Sequence, residues 1–390
     1  MNKKALAVLS AGHLVTDVNQ GALPALLPFF KAALNLSYTM SGTIILAANL
    51  TSSIIQPVFG HLSDKRPVAW LLPLSPLIAC LGLSLTGILS SYPFIILSVI
   101  LCGLGIASYH PEGFKTAYFF TGDRRATGMA IFSVGGNLGI AIGPIAAITL
   151  VTYFGLPGTL GMILPGTLIA FILLFNMSML SSPVASAHKE TSKGPNIPLS
   201  AKQKKAFLIL IAIATIRAWA QFGLSSYIPF YYIDYLQGNP LYAGKLVSTF
   251  LLAGALGTLV GAPVADRWGH KRFLSITLIL SFPLFLLFYY SSGFMSFVFV
   301  GIAGMVLNST FALTTVMAQA ILPRHLGMAS GMMVGFSISA AGIGVTLLGS
   351  IADGWGVPMA IKTVFVLPLI SFVLSLLVNY PQETPEAGSA

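Results

Sequence analysis

Apolar runs of about 20 residues recur along the whole chain, and this repetition limits the fold more than any other feature. Such a run is the length that an α-helix needs to cross a bilayer, whereas a membrane β-strand needs only about 9–11 residues. About twelve runs can be counted, near 4–32, 39–62, 68–90, 92–120, 126–153, 157–180, 204–236, 240–264, 272–291, 294–321, 327–352 and 358–379. Only 8% of the residues are charged, against about 25% in a soluble domain. The sequence therefore predicts an all-α integral membrane protein.

The net charge of +10 follows the loops between these runs. If the N-terminus is cytoplasmic, the basic residues that fall inside are Lys3, Lys4, Lys65, Arg66, Arg124, Arg125, Lys189, Lys193, Lys202, Lys204, Lys205, Arg267, Lys271, Arg272 and Arg324. Only Lys31, Lys245 and Lys362 fall outside. By the positive-inside rule, we expect a multi-pass protein of the bacterial plasma membrane with both termini cytoplasmic. The basic charge then reports topology, and we expect no nucleic-acid partner.

One long polar stretch, from about Ser181 to Lys205, divides the chain into two parts of similar size. It is rich in Pro, Ser, Lys and Gly, a composition typical of a linker. We expect an N-terminal bundle of six helices at 1–182, a cytoplasmic linker at 183–203 and a C-terminal bundle of six helices at 204–390.

A short motif stands after the second run and again after the eighth. The first copy contains Gly60, Asp64, Lys65 and Arg66, and the second contains Gly261, Asp266, Arg267 and Gly269. Parallel repeats of six spans are an architecture of secondary transporters. With this motif, the chain resembles the major facilitator superfamily across nearly its full length, although Pro67 stands where the first copy would have its second Gly. The resemblance implies two pseudo-symmetric six-helix bundles, with both motifs acting as cytoplasmic gating contacts. The alternative is a tight turn that carries topology charges.

The fifth run contains Gly135, Gly136, Gly139, Gly143 and Pro144. This string resembles the Gly-Pro motif of drug–proton antiporters in the same superfamily. Small residues four apart also let two helix backbones approach closely, so packing alone is the alternative explanation.

Ionisable side chains interrupt the first and fourth runs. Charge inside a bilayer is costly, so it indicates a functional site by default. In the fourth run, His110 and Glu112 flank Pro111, and Lys115 lies three residues after Glu112, close enough to pair with it. In the first run, His13, Asp17 and Gln20 share one helix face. A buried ion pair that only joins helices is the alternative.

The seventh and tenth runs supply the remaining polar positions. Arg217 offers a planar fork of donors that suits carboxylate, phosphate or phosphonate, and Gln221 lies four residues later. Asn308 and Gln319 stand in the tenth run, and Asn137 in the fifth. Arg217 could instead be a structural partner for Asp17 or Glu112, and the two roles can coexist.

His13 with Asp17, the string His110-Pro111-Glu112 and the cation Arg217 together resemble the fosmidomycin-resistance group of efflux proteins. The resemblance implies a drug/proton antiporter that exports a small anionic, phosphonate-like compound by alternating access. Asp17, Glu112, His13 and His110 are then the expected proton-coupling residues. We expect Lys115, Arg217, Gln20, Gln221, Asn137, Asn308 and Gln319 to bind substrate. The partners expected are protons, the anionic substrate and the lipid bilayer, for a protein that acts as a monomer.

Three other functions remain open at this point, one of which is a receptor that binds ligand on a transporter fold without moving it. Local electrostatics favours uptake, because a protonated carboxyl strengthens anion binding and the anion in turn favours the proton. His13, Asp17, His110 and Glu112 are also competent metal ligands, so a metal carrier or an intramembrane metalloenzyme is a further alternative. No H-E-x-x-H string is present, and Cys80 and Cys102 form no metal motif. We therefore expect no cofactor and no enzymatic activity.

Overall fold

A computed structural model of the protein describes residues 1–65, 68–122, 125–181, 200–322 and 332–378. Several expectations lie outside the described residues. They concern Arg66, Arg124, Arg324, most of the linker, and the side chains of Asp64, Lys65, Arg125, Asp266 and Gln319. Lys189 and Lys193 belong to the linker and also lie outside the described residues.

The described chain forms twelve helical spans, which confirms the predicted fold class. Spans 1 to 6 are, in order, Lys3–Leu34; Tyr38–Ile54 continued by Gln56–Lys65; Leu71–Leu85; Tyr92–Phe120; Arg125–Phe154; and Leu156–Met162, Ile163–Phe175 and Met177–Ser181. Spans 7 to 12 are Ala201–Pro229 with the π-turn Phe230–Tyr235; Pro240–Trp268; His270–Tyr290; Phe294–Asn308 continued by Thr310–Ile321; Met332–Phe336 continued by Ser337–Trp355; and Val357–Leu377.

Ten of these spans are long and apolar enough to cross a bilayer, counted over the described ranges. The other two are spans 1 and 3. Span 3 has only 15 residues. Span 1 has 32 residues but carries the ionisable side chains His13 and Asp17 at its centre.

The spans connect at two opposite ends. At one end, which we call the short-loop face, brief connections at residues 35–37, 86–91, 155, 236–239, 291–293 and 356 join successive spans in pairs. The other end carries residue 1 and residue 378, and we call it the termini face. Ser200 begins the second half there, because its hydroxyl and the Gln203 side chain form a capping box at the start of span 7.

Close backbone contact joins span 5 to span 1. A side chain on Gly135, Gly139 or Gly143 would collide with main-chain atoms of span 1, because these three glycines face Ser10, Leu14 and Val18 in turn. The four-residue repeat thus serves helix packing, as small residues do in membrane bundles.

Candidate functional site

A carboxylate at the centre of span 1 contacts two histidines. Asp17 Oδ2 lies 3.2 Å from His13 Nε2, one turn away on the same helix. Asp17 Oδ1 lies 3.0 Å from Nε2 of His110, which comes from span 4. His13 and Asp17 are only 5% and 4% exposed. We call these three residues the Asp17 cluster.

The second ring nitrogen of His13 fixes where protons can be. His13 Nδ1 lies 3.0 Å from the carbonyl oxygen of Phe132, which can only accept, so Nδ1 must carry a proton. The contact between Nε2 and Asp17 then holds one further proton, either on the ring or on the carboxyl group. Without that proton, Nε2 and Oδ2 would be two acceptors facing each other at 3.2 Å, so the contact itself depends on the protonation of the cluster.

Gln56 of span 2 completes the surroundings of His110. Its side-chain nitrogen Nε2 lies 2.9 Å from His110 Nδ1 and donates to it. In this arrangement a neutral His110 donates from Nε2 to Asp17. A doubly protonated His110 would need the Gln56 amide to rotate and present its oxygen. The orientation of the Gln56 amide therefore depends on the charge of His110. Gln56 is not among the site residues expected from the sequence.

Gly136 of span 5 forms the wall beside this cluster. A Cβ at this position would lie 2.5 Å from His13 Nε2 and 2.7 Å from Asp17 Oδ2, so only glycine leaves room for the contact. The ring of Phe132 stacks on His13 with centroids 4.4 Å apart. The sequence places Gly136 in the string that resembles the Gly-Pro motif, with packing as the alternative, but a glycine gives no signal that it borders these two side chains.

Glu112 and Lys115 form a second group, nearer the termini face. They are joined through Ser63 of span 2 rather than directly. The Ser63 hydroxyl donates to Glu112 Oε2, and Lys115 Nζ donates to the Ser63 carbonyl and also lies 3.2 Å from its Oγ. Glu112 is fully buried, and its Oε1 finds no partner within the described ranges. Ser63 directly precedes Asp64 of the first motif.

Arg217 lies in the second half, on span 7. Its Nη1 donates to Gln221 Oε1 at 3.0 Å and contacts Asn308 Oδ1 of span 10 at 3.4 Å. Its guanidinium carbon lies 5.0 Å from the centre of the Phe311 ring, an arrangement that suits a cation–π contact. Arg217 is 2% exposed, and Nε has no partner among the residues described. No carboxylate pairs with it in that part of the chain, so the alternative of an ion pair with Asp17 or Glu112 gains no support.

The other expected substrate residues make fewer contacts. Gln20 lines a small cavity between the halves together with Asn19, Asn49 and Phe222 of span 7. Asn137 is half-buried on span 5 and makes no hydrogen bond to a described residue. The structure therefore separates the expected site residues into three groups, and no described hydrogen bond or ion pair links Lys115 to Arg217.

The glycines of the two motifs differ in their surroundings. Gly269 has φ +86° between spans 8 and 9, a left-handed conformation that strongly favours glycine. A Cβ added at Gly60 would lie 3.9 Å from Pro111 of span 4, an ordinary contact distance. A Cβ added at Gly261 would lie 2.6 Å from Cβ of Ser309, so this glycine is closely packed. Arg267 is exposed at the termini face.

The Asp17 cluster also offers the ligand types of a metal site. The nearest ligand atoms of His13, Asp17 and His110 all lie within 4.8 Å of one another. Each histidine has its other ring nitrogen held by a second group, as metal-ligating histidines commonly do. The three groups already satisfy one another by direct hydrogen bonds, however, so an ion would have to displace those bonds.

Comparisons with known proteins agree on one family. The sequence profile of the Major Facilitator Superfamily matches residues 9–244 and 232–390. The uncharacterized MFS-type transporter YfnC of Bacillus subtilis (strain 168) is 30% identical over 376 residues, which are 95% of this chain and 92% of that protein. The Fosmidomycin resistance protein of Escherichia coli (strain K12) is 30% identical over 370 residues, 94% and 91% of the two chains.

A solved structure supports the same fold. A bacterial homolog to the human lysosomal transporter Spinster, in an inward-facing and unoccupied conformation, superposes with a TM-score of 0.79 at 14% identity. The match covers 96% of both chains.

Proposed function

The chain belongs to the Major Facilitator Superfamily of membrane transporters, and we propose that it is a proton-coupled antiporter that exports a small anionic compound by alternating access. The compound class that we propose is phosphonate-like, with fosmidomycin as the example, since a relative that covers nearly the whole chain is a fosmidomycin resistance protein. Members of this superfamily are transporters rather than enzymes, so Asp17 and Glu112 are assigned to transport.

The main support for an anionic substrate is that Arg217 is buried among neutral neighbours. A buried guanidinium is costly unless a counter-charge compensates it. The described neighbours of Arg217 are the amides Gln221 and Asn308 and the ring of Phe311, all of them neutral. A bound phosphonate or carboxylate would supply the missing negative charge and accept two parallel hydrogen bonds from the fork.

The Asp17 cluster supports coupling to protons. The contact between His13 and Asp17 requires a proton between two acceptors, and the imidazole of His110 contacts the other oxygen of the same carboxyl group. These groups lie on spans 1 and 4 of the first half, while Arg217 lies on span 7 of the second. Alternating access moves the two halves against each other, so protonation in one half can change how substrate binds in the other. Glu112 is the second proton-coupling candidate, with Lys115 beside it.

Proton-coupled uptake of an organic anion is the second candidate function. A protonated Asp17 cluster makes the region between the halves more positive and strengthens anion binding, and linkage requires the anion to favour protonation equally. Antiport instead requires proton and substrate to occupy mutually exclusive conformations. The direction of substrate flux against an imposed proton gradient separates export from uptake.

The test of the anion site uses Arg217. Arg217→Ala should weaken binding of an anionic substrate at least about thirtyfold, the equivalent of losing about 2 kcal/mol from a buried charge contact. Arg217→Lys should recover only part of it, because the planar fork is lost. We would measure fosmidomycin binding to purified protein, and resistance in cells that express each variant. Unchanged affinity in Arg217→Ala would show that the substrate is not held by this cation.

We further propose that both termini are cytoplasmic, that the protein lies in the bacterial inner membrane as a monomer, and that residues 1–182 and 204–390 are the moving halves. Lys205→Cys stands on the termini face, and Ser292→Cys stands in the connection 291–293 at the short-loop face. In intact spheroplasts, a membrane-impermeant thiol reagent should label Ser292→Cys and spare Lys205→Cys. The reverse pattern would invert the proposed orientation.

A further inference from the structure

A groove lies between the two halves, and no residue of the Asp17 cluster lines it. It has a volume of about 380 Å³ and is formed by spans 5, 8 and 10. Its lining includes Ile142 and Ile145 of span 5, Lys245, Ser248 and Leu252 of span 8, and Phe297 of span 10. At its floor the backbone N–H of Ile145 donates to Ser248 Oγ at 3.3 Å, a direct hydrogen bond between the halves. None of the residues proposed to bind substrate or protons lines it.

Lys245 is an exposed cation inside a membrane span. It stands five residues after Pro240, where span 8 begins at the short-loop face, a depth of about 7.5 Å at 1.5 Å per residue. Two other lysines near this face have neighbours. Lys31 Nζ lies 3.3 Å from Asp234 Oδ2, and Lys362 Nζ lies 5.4 Å from the centre of the Tyr289 ring. No described residue offers Lys245 a hydrogen bond or an ion pair.

The groove is basic at its outer end and apolar further into the membrane. Lys245 stands at its outer end, the hydroxyl of Ser248 lies one turn further in, and Leu252 and Ile142 form an apolar inner part. A free inorganic anion could use only the single lysine. A molecule with an anionic group at the membrane surface and an apolar chain below it matches both ends, and a lysine near an anionic head group contributes about 1 kcal/mol to such binding.

We propose that this groove is a binding site for an anionic phospholipid, whose phosphate lies at Lys245 and whose acyl chain lies against Ile142 and Leu252. The lipid contacts span 5 of one half and spans 8 and 10 of the other. Its presence therefore favours the arrangement in which these spans are in contact. This site is independent of the proposed substrate and of proton coupling.

The test measures lipid binding to the purified full-length protein by native mass spectrometry. Phosphatidylglycerol and phosphatidylcholine with identical acyl chains are the two probes. Wild-type protein should retain phosphatidylglycerol in preference to phosphatidylcholine. Lys245→Ala should reduce phosphatidylglycerol retention about fivefold, the effect of one lysine near an anionic head group, and should leave phosphatidylcholine unchanged. Lys362→Ala is the matched control and should behave as wild type.

A second variant separates a lipid from a small anion. Ile142 is 43% exposed, so Ile142→Trp can fill the inner groove without disturbing the core and should also reduce phosphatidylglycerol retention. Equal retention of the two lipids by wild type, or full retention by Lys245→Ala, would overturn the site. Retention by Ile142→Trp together with displacement by inorganic phosphate would show that Lys245 binds free anions instead.

Discussion

At residue 17, one carboxyl group contacts histidines on two different spans at 3.2 and 3.0 Å, and a glycine leaves the space for it. An asparagine there would match the neutral histidines without any titrating proton. Its amide nitrogen can donate to His13 Nε2, and its oxygen can accept from His110 Nε2. The geometry would then persist while the exchangeable proton is lost.

We therefore predict that Asp17→Asn keeps substrate binding but loses transport driven by a proton gradient. Gradient-driven flux in proteoliposomes should fall at least about tenfold, the equivalent of about 1.4 kcal/mol. Substrate exchange without a gradient should survive, because it needs no net proton movement. Gradient-driven flux at the wild-type level would remove Asp17 from the coupling mechanism and leave Glu112 as the acidic candidate.

The sequence could predict part of this cluster. His13 and Asp17 are four residues apart on one helix, and helical spacing alone brings them together. Gln56 and Gly136 could not be predicted in the same way. Gln56 meets His110 across 54 positions, and Gly136 faces His13 from another helix. Such contacts depend on how spans pack, and one polar or small residue in an apolar run does not reveal its neighbour.

At the scale of elements, the segment Gln56–Lys65 is the part of span 2 nearer the termini face, and a bend at Ile55 separates it from Tyr38–Ile54. Two polar links hold it to span 4, one from Gln56 to His110 and one from Ser63 to Glu112 and Lys115. The segment includes Gly60, Asp64 and Lys65 of the first motif. It therefore connects the Asp17 cluster to the residues expected to control the termini face.

Ser63→Ala should impair this connection. It removes the donor to Glu112 Oε2, and an unsatisfied buried acceptor costs about 1–3 kcal/mol. We expect gradient-driven transport to fall about tenfold while substrate affinity at Arg217 stays unchanged, as measured by flux and by binding. Ser63→Thr, which keeps the hydroxyl, should restore transport.

A matched control is available on the same helix. Ser75 Oγ lies 2.7 Å from Ser108 Oγ, a buried hydrogen bond between spans 3 and 4 that touches no charged group. Ser75→Ala should cost similar stability and leave coupling intact. An equal loss of transport in both variants would show that Ser63 acts only on helix packing.

The sequence predicted the number and order of the spans well, because each needs a continuous apolar run. It also located the polar residues on spans 1, 4, 7 and 10. The bend at Ile55 and the ending of span 3 at Leu85 have no such signal. The pairing of Glu112 with Lys115 was expected from their spacing, but a serine from another span lies between them.

At the scale of the whole molecule, two acids of the second half hold the turn between spans 1 and 2 at the short-loop face. Asp353 accepts from the backbone N–H groups of Tyr38 at 2.7 Å and Thr39 at 2.9 Å, the first residues of span 2. Asp234 pairs with Lys31 at 3.3 Å and accepts from the Tyr38 hydroxyl. Carboxylates are favourable at helix N-termini because free N–H groups and the helix dipole meet there. Alternating access requires these contacts to break whenever the short-loop face opens.

Removing the two acids should therefore shift the molecule toward opening at this face. A carboxylate at a helix N-terminus, as for Asp353, and a partly exposed ion pair, as for Asp234, are each worth up to about 1 kcal/mol, so Asp353→Ala and Asp234→Ala should each raise the open-to-closed ratio by up to about fivefold. Spin labels at Ser90→Cys and Ser292→Cys would report the separation of the halves by double electron–electron resonance. The native cysteines Cys80 and Cys102 are buried and should stay unlabelled. Lys362 lies near the same face but contacts Tyr289 of its own half, so Lys362→Ala should leave the distance between the two spin labels unchanged. If neither acid variant lengthens the Ser90–Ser292 distance distribution, these contacts do not hold the face closed, and the packing of span 2 on span 11 and of span 5 on span 8 would be sufficient.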